Sequence, residues 1–284
     1  MGALREYLLS TLYLQSGPLV IAEAALTPSV PSACACAHNC LSQQLRPGAA
    51  AAAAAGVELA EAIMRRRFFP SLITTEAWEG FTFADLEIRI KESTDCYGAM
   101  LWPSALVLCY FLDTNQDKYN LTDKNVIELG AGTGLVTTVA SLLGAKVTST
   151  DLPDVLGNLQ YNVSRNTRGR CKHTPQVTKL IWGQDLEERF PRASCRFDYI
   201  LAADVVYAHP YLNELMDTFE HLCQDQTVIL WAMRFRLDPE NSFVERFQQH
   251  FHLELIYDLP SLSIKLYRAN RKGRSLKTSS GAAA

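Results

Sequence analysis

Beyond Phe68 the hydrophobic positions of the chain repeat with two alternating periods. In "TFADLEIRIKES", Leu86, Ile88 and Ile90 fall at every second residue, the pattern of a half-buried strand. A turn near Glu79 and Gly80 pairs it with its neighbour in a small N-terminal β-hairpin at about residues 71–92. "WPSALVLCYFL" then puts Pro103 at a helix start, where a missing N–H does no harm, and an apolar helix continues to Leu112. Runs rich in β-branched residues follow at 126–129, 147–150, 177–181, 199–203 and 228–231, each separated by a helical stretch. That alternation predicts a parallel sheet with helices on both faces. Two closing runs, 253–257 and 263–267, are joined by "DLPSL", too short for a crossover helix, and so form an antiparallel hairpin at the sheet edge. The predicted fold class is α/β: a doubly wound, seven-stranded, mostly parallel sheet with the small N-terminal hairpin added.

The first 56 residues break this pattern. They carry four charges, Arg5, Glu6, Glu23 and Arg46, a run of seven alanines from Ala49 to Ala55, and no sustained periodicity. We read 1–56 as a low-complexity, disordered tail, 57–268 as one domain and 269–284 as a flexible tail of basic and small residues. "CACAHNC" sets Cys34, Cys36, His38 and Cys40 at alternate positions, but structural zinc sites draw their ligand pairs from separated segments. No metal is expected. Glu6, Gln15 and Gly17-Pro18 interrupt the apolar stretch that a secretion signal requires, and Glu6 stands where N-myristoylation wants Ser or Thr.

Composition narrows the partners. The net charge of -3 provides no general attraction to nucleic acid or to anionic membranes. Eight cysteines at irregular spacing, five of them (Cys96, Cys109, Cys171, Cys195, Cys223) scattered through regular elements, fit a reducing compartment.

Candidate chemistry concentrates in "NVIELGAGTGLVTTVASLLGAKVTSTDLPDVLGNLQYN". Gly130, Gly132 and Gly134 give GxGxG, whereas a dinucleotide fingerprint needs a small residue where this chain has Leu135. Asp151, 21 residues after Gly130, stands at the end of the next strand, where a carboxylate accepts both hydroxyls of a ribose. Glu128 would oppose a pyrophosphate but tolerate a cation. S-adenosylmethionine, with a ribose, a sulfonium and an ammonium and no phosphate, fits all three features. Trp182 offers a ring to adenine and Asp185 an acceptor for its amino group, while Ala203, Asp204 and Tyr207 follow the fourth run at the reactive end. Plainer readings stand beside these: helix–sheet packing for Gly132 and Gly134, a core cap for Trp182, a helix cap for Asp204.

Residues from about 70 to 268 resemble the seven-β-strand protein-lysine methyltransferases of the methyltransferase-like 21 group, nearest its C and E branches. The matching pieces are "IKES", "YGAMLWP", "IELGAGTGLV", "VTSTDLPDVLGNLQYN", "WGQDL", "LAADVVY" and "ILWAMRFR", in family order. The resemblance implies a Rossmann-like methyltransferase fold and S-adenosylmethionine contacts at Trp102, Gly130, Ala131 and Gly132 of the "GAG" turn, Asp151, Trp182 and Ala203. It also implies that Asp204 to Tyr207 shape the pocket for a target lysine, with Arg234 and Arg236 orienting the substrate. A monomer acting in the cytoplasm, and also in the nucleus, on a chaperone, an AAA-type ATPase or a translation factor would follow. The alternatives are a small-molecule or nucleic-acid methyltransferase and a non-catalytic cofactor-binding scaffold. Against them, "DVVY" replaces the Asn/Asp-Pro-Pro-aromatic segment of amino methyltransferases of DNA, and the cofactor positions are all kept.

Overall fold

A computed structural model describes residues 47–68, 78–93, 97–235 and 238–272. The described residues open with helix α1 (Pro47–Met64), followed by strands β1 (Arg67–Phe68), β2 (Trp78–Phe83) and β3 (Leu86–Lys91) and helix α2 (Pro103–Thr114). The central part runs β4 (Asn125–Leu129), α3 (Leu135–Leu142), β5 (Lys146–Asp151), α4 (Leu156–Thr167), β6 (Gln176–Lys179), α5 (Leu186–Arg189) and β7 (Tyr199–Ala203). It closes with α6 (Leu212–Leu222), β8 (Val228–Arg234), α7 (Asp238–His250), β9 (Phe251–Leu259) and β10 (Ile264–Arg271). The expected seven-stranded sheet is present in the order β6-β5-β4-β7-β8-β10-β9. β10 is antiparallel to both neighbours, and β4, β5, β6, β7 and β8 pair in parallel. None of the described helices is long and apolar enough to cross a membrane.

Alternation along the strands divides the core in two. Val126, Leu201, Leu230 and Ala232 face one way, onto α2 and α3, while Ile127, Ile200, Ile229 and Trp231 face the other, onto α6 and α7. In β9 the alternation switches at Ile256: Leu255 pairs with Tyr267 and Tyr257 with Leu266, leaving Ile256 as the extra residue of a β-bulge. Phe251 and Leu253 therefore join the second core and Tyr257 and Leu259 the first.

Two expectations change. The hairpin turn lies at Ala84 and Asp85, both at positive φ (52° and 57°), and Glu79 and Gly80 sit inside β2 opposite Ile90 and Arg89. A two-residue loop with both residues left-handed matches the twist of a hairpin. Asp113 on α2 helps to hold it by accepting the Ala84 N–H at 3.0 Å. Residues 71–77 of the expected hairpin lie outside the described residues. The boundary drawn at residue 56 falls within α1, whose Ala60 and Ile63 are buried on the β9 and β10 end of the first core. Helix propensity of the alanine run and burial at its C-terminal end account for a helix where periodicity is weak.

One contact fixes the hairpin over the sheet. Asn162 and Asn166, one turn apart on α4, each use a side-chain amide as a strand would: Asn162 accepts from Lys91 N (2.9 Å) and donates to its carbonyl (2.8 Å), and Asn166 does the same with Arg89 (2.9 Å both ways). The spacing works because one helical turn, roughly 6 Å over four residues, matches two strand residues at about 6.6 Å. Asn162 also donates to the carbonyl of Thr133, which ties hairpin and helix to the glycine turn.

Candidate active site at the carboxyl ends of the strands

The turn after β4 is the first element of the site. Gly130 and Gly132 take positive φ (61° and 57°), which most residues avoid. A Cβ at Gly130 would lie 2.9 Å from Val205 Cγ1 and 3.4 Å from Trp182 Cζ2, and one at Gly132 would lie 3.0 Å from the Gly98 carbonyl. Gly134 serves packing, since a Cβ there would press at 2.7 Å on Leu159 and Val163 of α4. The turn is pinned by Ala131 N–H donating to the Thr150 carbonyl (3.0 Å) and by Gly132 N–H donating to Asp151 Oδ2 (2.7 Å). Asp151 Oδ1 accepts the Leu152 N–H, also at 2.7 Å. Burial raises the Asp151 carboxyl above its ordinary value, and these two N–H groups oppose the shift.

Glu128 is placed differently. It is 2% exposed on the face covered by α3, with Oε2 accepting the Thr137 hydroxyl, which in turn lies 2.6 Å from Ser149 Oγ. Burial pushes its carboxyl up to about 8, with the Asp151 charge adding to the shift. The residue thus lies beneath the turn. Among the described residues, no Lys or Arg side chain bonds Glu128 or Asp151.

A second group surrounds β7. Asp204, directly beyond Ala203, adopts a left-handed conformation (φ 53°), 7% exposed, with its N–H donating to the Ala232 carbonyl (2.9 Å) and Oδ1 accepting the Arg234 N–H (2.8 Å). The carboxyl is therefore locked between the ends of β7 and β8. The expected helix-cap alternative does not apply, since the next helix begins at Leu212 with Tyr211 before it.

His209 is the site residue that sequence reasoning passed over. Its ring lies 4.4 Å from that of Tyr207, 5.4 Å from that of Trp182 and 6.1 Å from that of Tyr211. Nε2 lies 3.0 Å from the Val205 carbonyl and Nδ1 accepts the Tyr211 N–H at 3.1 Å, so the neutral ring carries its proton on Nε2. Burial lowers its affinity for a second proton below the ordinary 6.5. Rings at every second position, Tyr207, His209 and Tyr211, would have been the available signal, had Trp182 been known to meet the loop after β7.

The turn thus brings Gly130, Ala131, Gly132, Asp151 and Trp182 together, and Trp182 leads through His209 to Tyr207. Trp102 stands at the start of α2, two residues after Met100, whose carbonyl also borders Gly132. Asp185 is exposed at the head of α5, and Arg236 and "CACAHNC" lie outside the described residues. No His, Cys, Asp and Glu group among the described residues suits a metal ion.

Comparison with known proteins matches residues 82–250 to the family described as lysine methyltransferase. The chain belongs to this lysine methyltransferase family. It is 68% identical over 212 residues to the Bos taurus protein-lysine methyltransferase METTL21E, covering 75% of this chain and 73% of that one. It is 37% identical to the Xenopus tropicalis protein N-lysine methyltransferase METTL21A (68% and 88% covered) and 38% identical to the EEF1A lysine methyltransferase 3 of that species (67% and 84%). Among solved structures, a T. thermophilus 16S rRNA N2 G1207 methyltransferase in complex with AdoMet and guanosine shares the fold, at TM-score 0.53 and 18% identity over 72% of this chain and 52% of that one. Family membership and the doubly wound sheet therefore agree.

Proposed function

We propose that this chain binds S-adenosylmethionine across the ends of β4, β5 and β7 and methylates the ε-amine of a lysine in a protein substrate. The residues present suit that cofactor: two glycines at which a Cβ would crowd Val205, Trp182 or the Gly98 carbonyl, a carboxylate at the tip of β5, and carboxyl groups rather than cations around the turn. Asp151 would oppose a pyrophosphate and accept a ribose, whereas Glu128, buried and pushed up to about 8, adds little charge at neutral pH. Trp102, Gly130, Ala131, Gly132, Asp151, Trp182 and Ala203 would hold the cofactor, and Glu128 would support the turn from below. The cofactor supplies an electrophilic methyl group.

The observation that carries the catalytic assignment is Asp204, buried and held at the tip of β7 by the Arg234 N–H. A lysine amine, with pKa about 10.4, is neutral in roughly one molecule in 2,500 at pH 7, so the site must favour loss of its proton. Tyr207, with His209 behind it, would wall an apolar approach that desolvates the ammonium, and Asp204 would orient the amine and help pass its proton to water. No residue acts as a nucleophile.

Protein substrates among chaperones, AAA-type ATPases or translation factors, a monomeric state, and a cytoplasmic and nuclear location complete the proposal. The reducing location rests on the irregular spacing of the eight cysteines along the sequence. Asp204→Asn tests the mechanism, since Asn tolerates the same left-handed backbone and can still accept the Arg234 N–H. Single-turnover rates should fall about 30-fold to 1,000-fold, or about 2 to 4 kcal/mol, with cofactor affinity kept. Wild-type rates would refute the role; Tyr207→Phe should cost less.

A further inference from the structure

A groove of about 850 Å³ opens at the opposite, amino-terminal ends of the strands, lined by Asn125, Lys146 and Gln176 at the starts of β4, β5 and β6 and by the segment that follows β6. It exists because the crossover from β6 to β7 carries only the four-residue α5, too short to cover the β5–β6 part of the sheet. Its wall is Phe190 against Phe197, with ring centres 6.0 Å apart, and its floor includes Thr148 and Thr178.

The charge of this groove is one-sided. Lys146, Lys172, Arg189 and Arg196 line it together with His173, and no Asp or Glu does, in a chain whose net charge is -3. Lys172 and His173 both reach Asp123 at 2.7 Å, and Arg189 donates to the Lys179 carbonyl at 2.9 Å. The charged ends of Lys146 and Arg196, both exposed, find no partner among the described residues. β6 is the edge strand of the sheet, with β5 as its neighbour on one side.

From this arrangement we infer that the groove docks an extended, acidic segment of a protein partner along β6, remote from the methyl-transfer site. Two unpartnered cations fit carboxylates, the apolar wall fits intervening side chains, and an edge strand accepts an extended chain. A polyphosphate chain fits less well, because it has no side chains to meet the Phe190–Phe197 wall and no peptide N–H and C=O groups to pair with an edge strand. That this partner is the methylated substrate rests on the function proposed above; binding to the groove does not.

The test measures fluorescence anisotropy of a labelled octaglutamate peptide with the full chain and no cofactor. Wild type should bind it in preference to a Gly-Ser peptide of equal length, and raising salt from about 0.05 to 0.3 M should weaken binding markedly. Lys146→Glu with Arg196→Glu should weaken it about tenfold or more, two reversed charges in a shared groove being enough for that. The milder Lys146→Gln with Arg196→Gln should give a smaller loss in the same direction and serves if the reversal impairs folding. Methylation of a short lysine peptide without acidic residues should be unchanged in either variant. Equal binding of the Gly-Ser peptide, unchanged affinity in both double variants, or tighter binding of an octathymidine oligonucleotide at this groove would overturn the inference. Loss of methylation in Asp204→Asn with octaglutamate binding intact would separate the two sites.

Discussion

The two ends of the same parallel strands are built on opposite principles. At the carboxyl ends, Glu128, Asp151 and Asp204 are carboxyl groups withdrawn from water and fastened to a hydroxyl or to backbone N–H groups within the fold. At the amino ends, Lys146 and Arg196 stand in solvent without partners among the described residues, in a groove that none of the described acidic residues lines. The first arrangement is preorganised: its polar groups are already oriented, so little rearrangement is needed when a small ligand arrives. The second is unorganised and local, suited to pairing with a flexible chain whose charges need no fixed register. Burial makes the difference, because a desolvated charge must be held whereas a solvated one need not be.

If preorganisation matters at the carboxyl ends, the largest effect outside Asp204 should come from Asp151. Asp151→Ala removes a ribose acceptor and at the same time frees the N–H groups of Gly132 and Leu152. With hydrogen bonds to charged groups at about 1.5 to 3 kcal/mol each, cofactor affinity by calorimetry should fall at least about tenfold. Unchanged affinity in a folded variant would show that the turn holds another ligand.

A smaller loss is expected at His209, which fixes the loop after β7 without carrying charge. His209→Ala should lower turnover about threefold to tenfold, at most about 1.4 kcal/mol, by releasing Tyr207 and the Val205 and Tyr211 bonds. Because burial keeps the folded imidazole below 6.5, its support is present above that pH and is lost as pH falls through the lowered value. A pH–rate profile that is the same in the variant and the wild type at its acidic limb would remove His209 from the mechanism.

The smallest effect concerns stability. The Glu128 carboxyl titrates near 8 in the fold against an ordinary 4.5, so the folded chain holds its proton more tightly than the unfolded chain does. Its contribution is complete below 4.5 and is lost as pH rises through 8. Glu128→Gln, permanently neutral, should flatten this: between about pH 6 and 9 the wild-type Tm should fall a few degrees more than the variant's. Parallel melting curves would mean that Glu128 stays ionised in the fold.

The sheet was readable from short periods because each strand–helix pair states its own repeat, and the glycine turn was readable because its spacing is local. The N-terminal hairpin shows the limit. Little in "FADL" announces a turn with two left-handed residues, because the usual glycine or asparagine is absent and the only trace is a one-residue shift of the apolar alternation between Phe83 and Leu86. Asp113, contributed by α2, helps to settle its place. In the site, Asp151 and Asp204 could be located from their position after a strand. The direction of the Glu128 side chain could not, because it depends on which face α3 covers.

The sequence by itself determined a lysine-methyltransferase-like order of elements, a glycine turn without the dinucleotide fingerprint, and the carboxylates at the tip of β5 and just beyond β7, all properties of neighbours along the chain. Tertiary structure decided that Glu128 points into the core, that His209 joins Trp182 to Tyr207, and that four cations and a histidine meet in one groove. These residues come from separate crossovers, and only the strand order β6-β5-β4-β7, together with the shortness of α5, brings them within reach of one another. Period and spacing specify backbone conformation, whereas burial and charge at a point in space depend on what the rest of the chain places there.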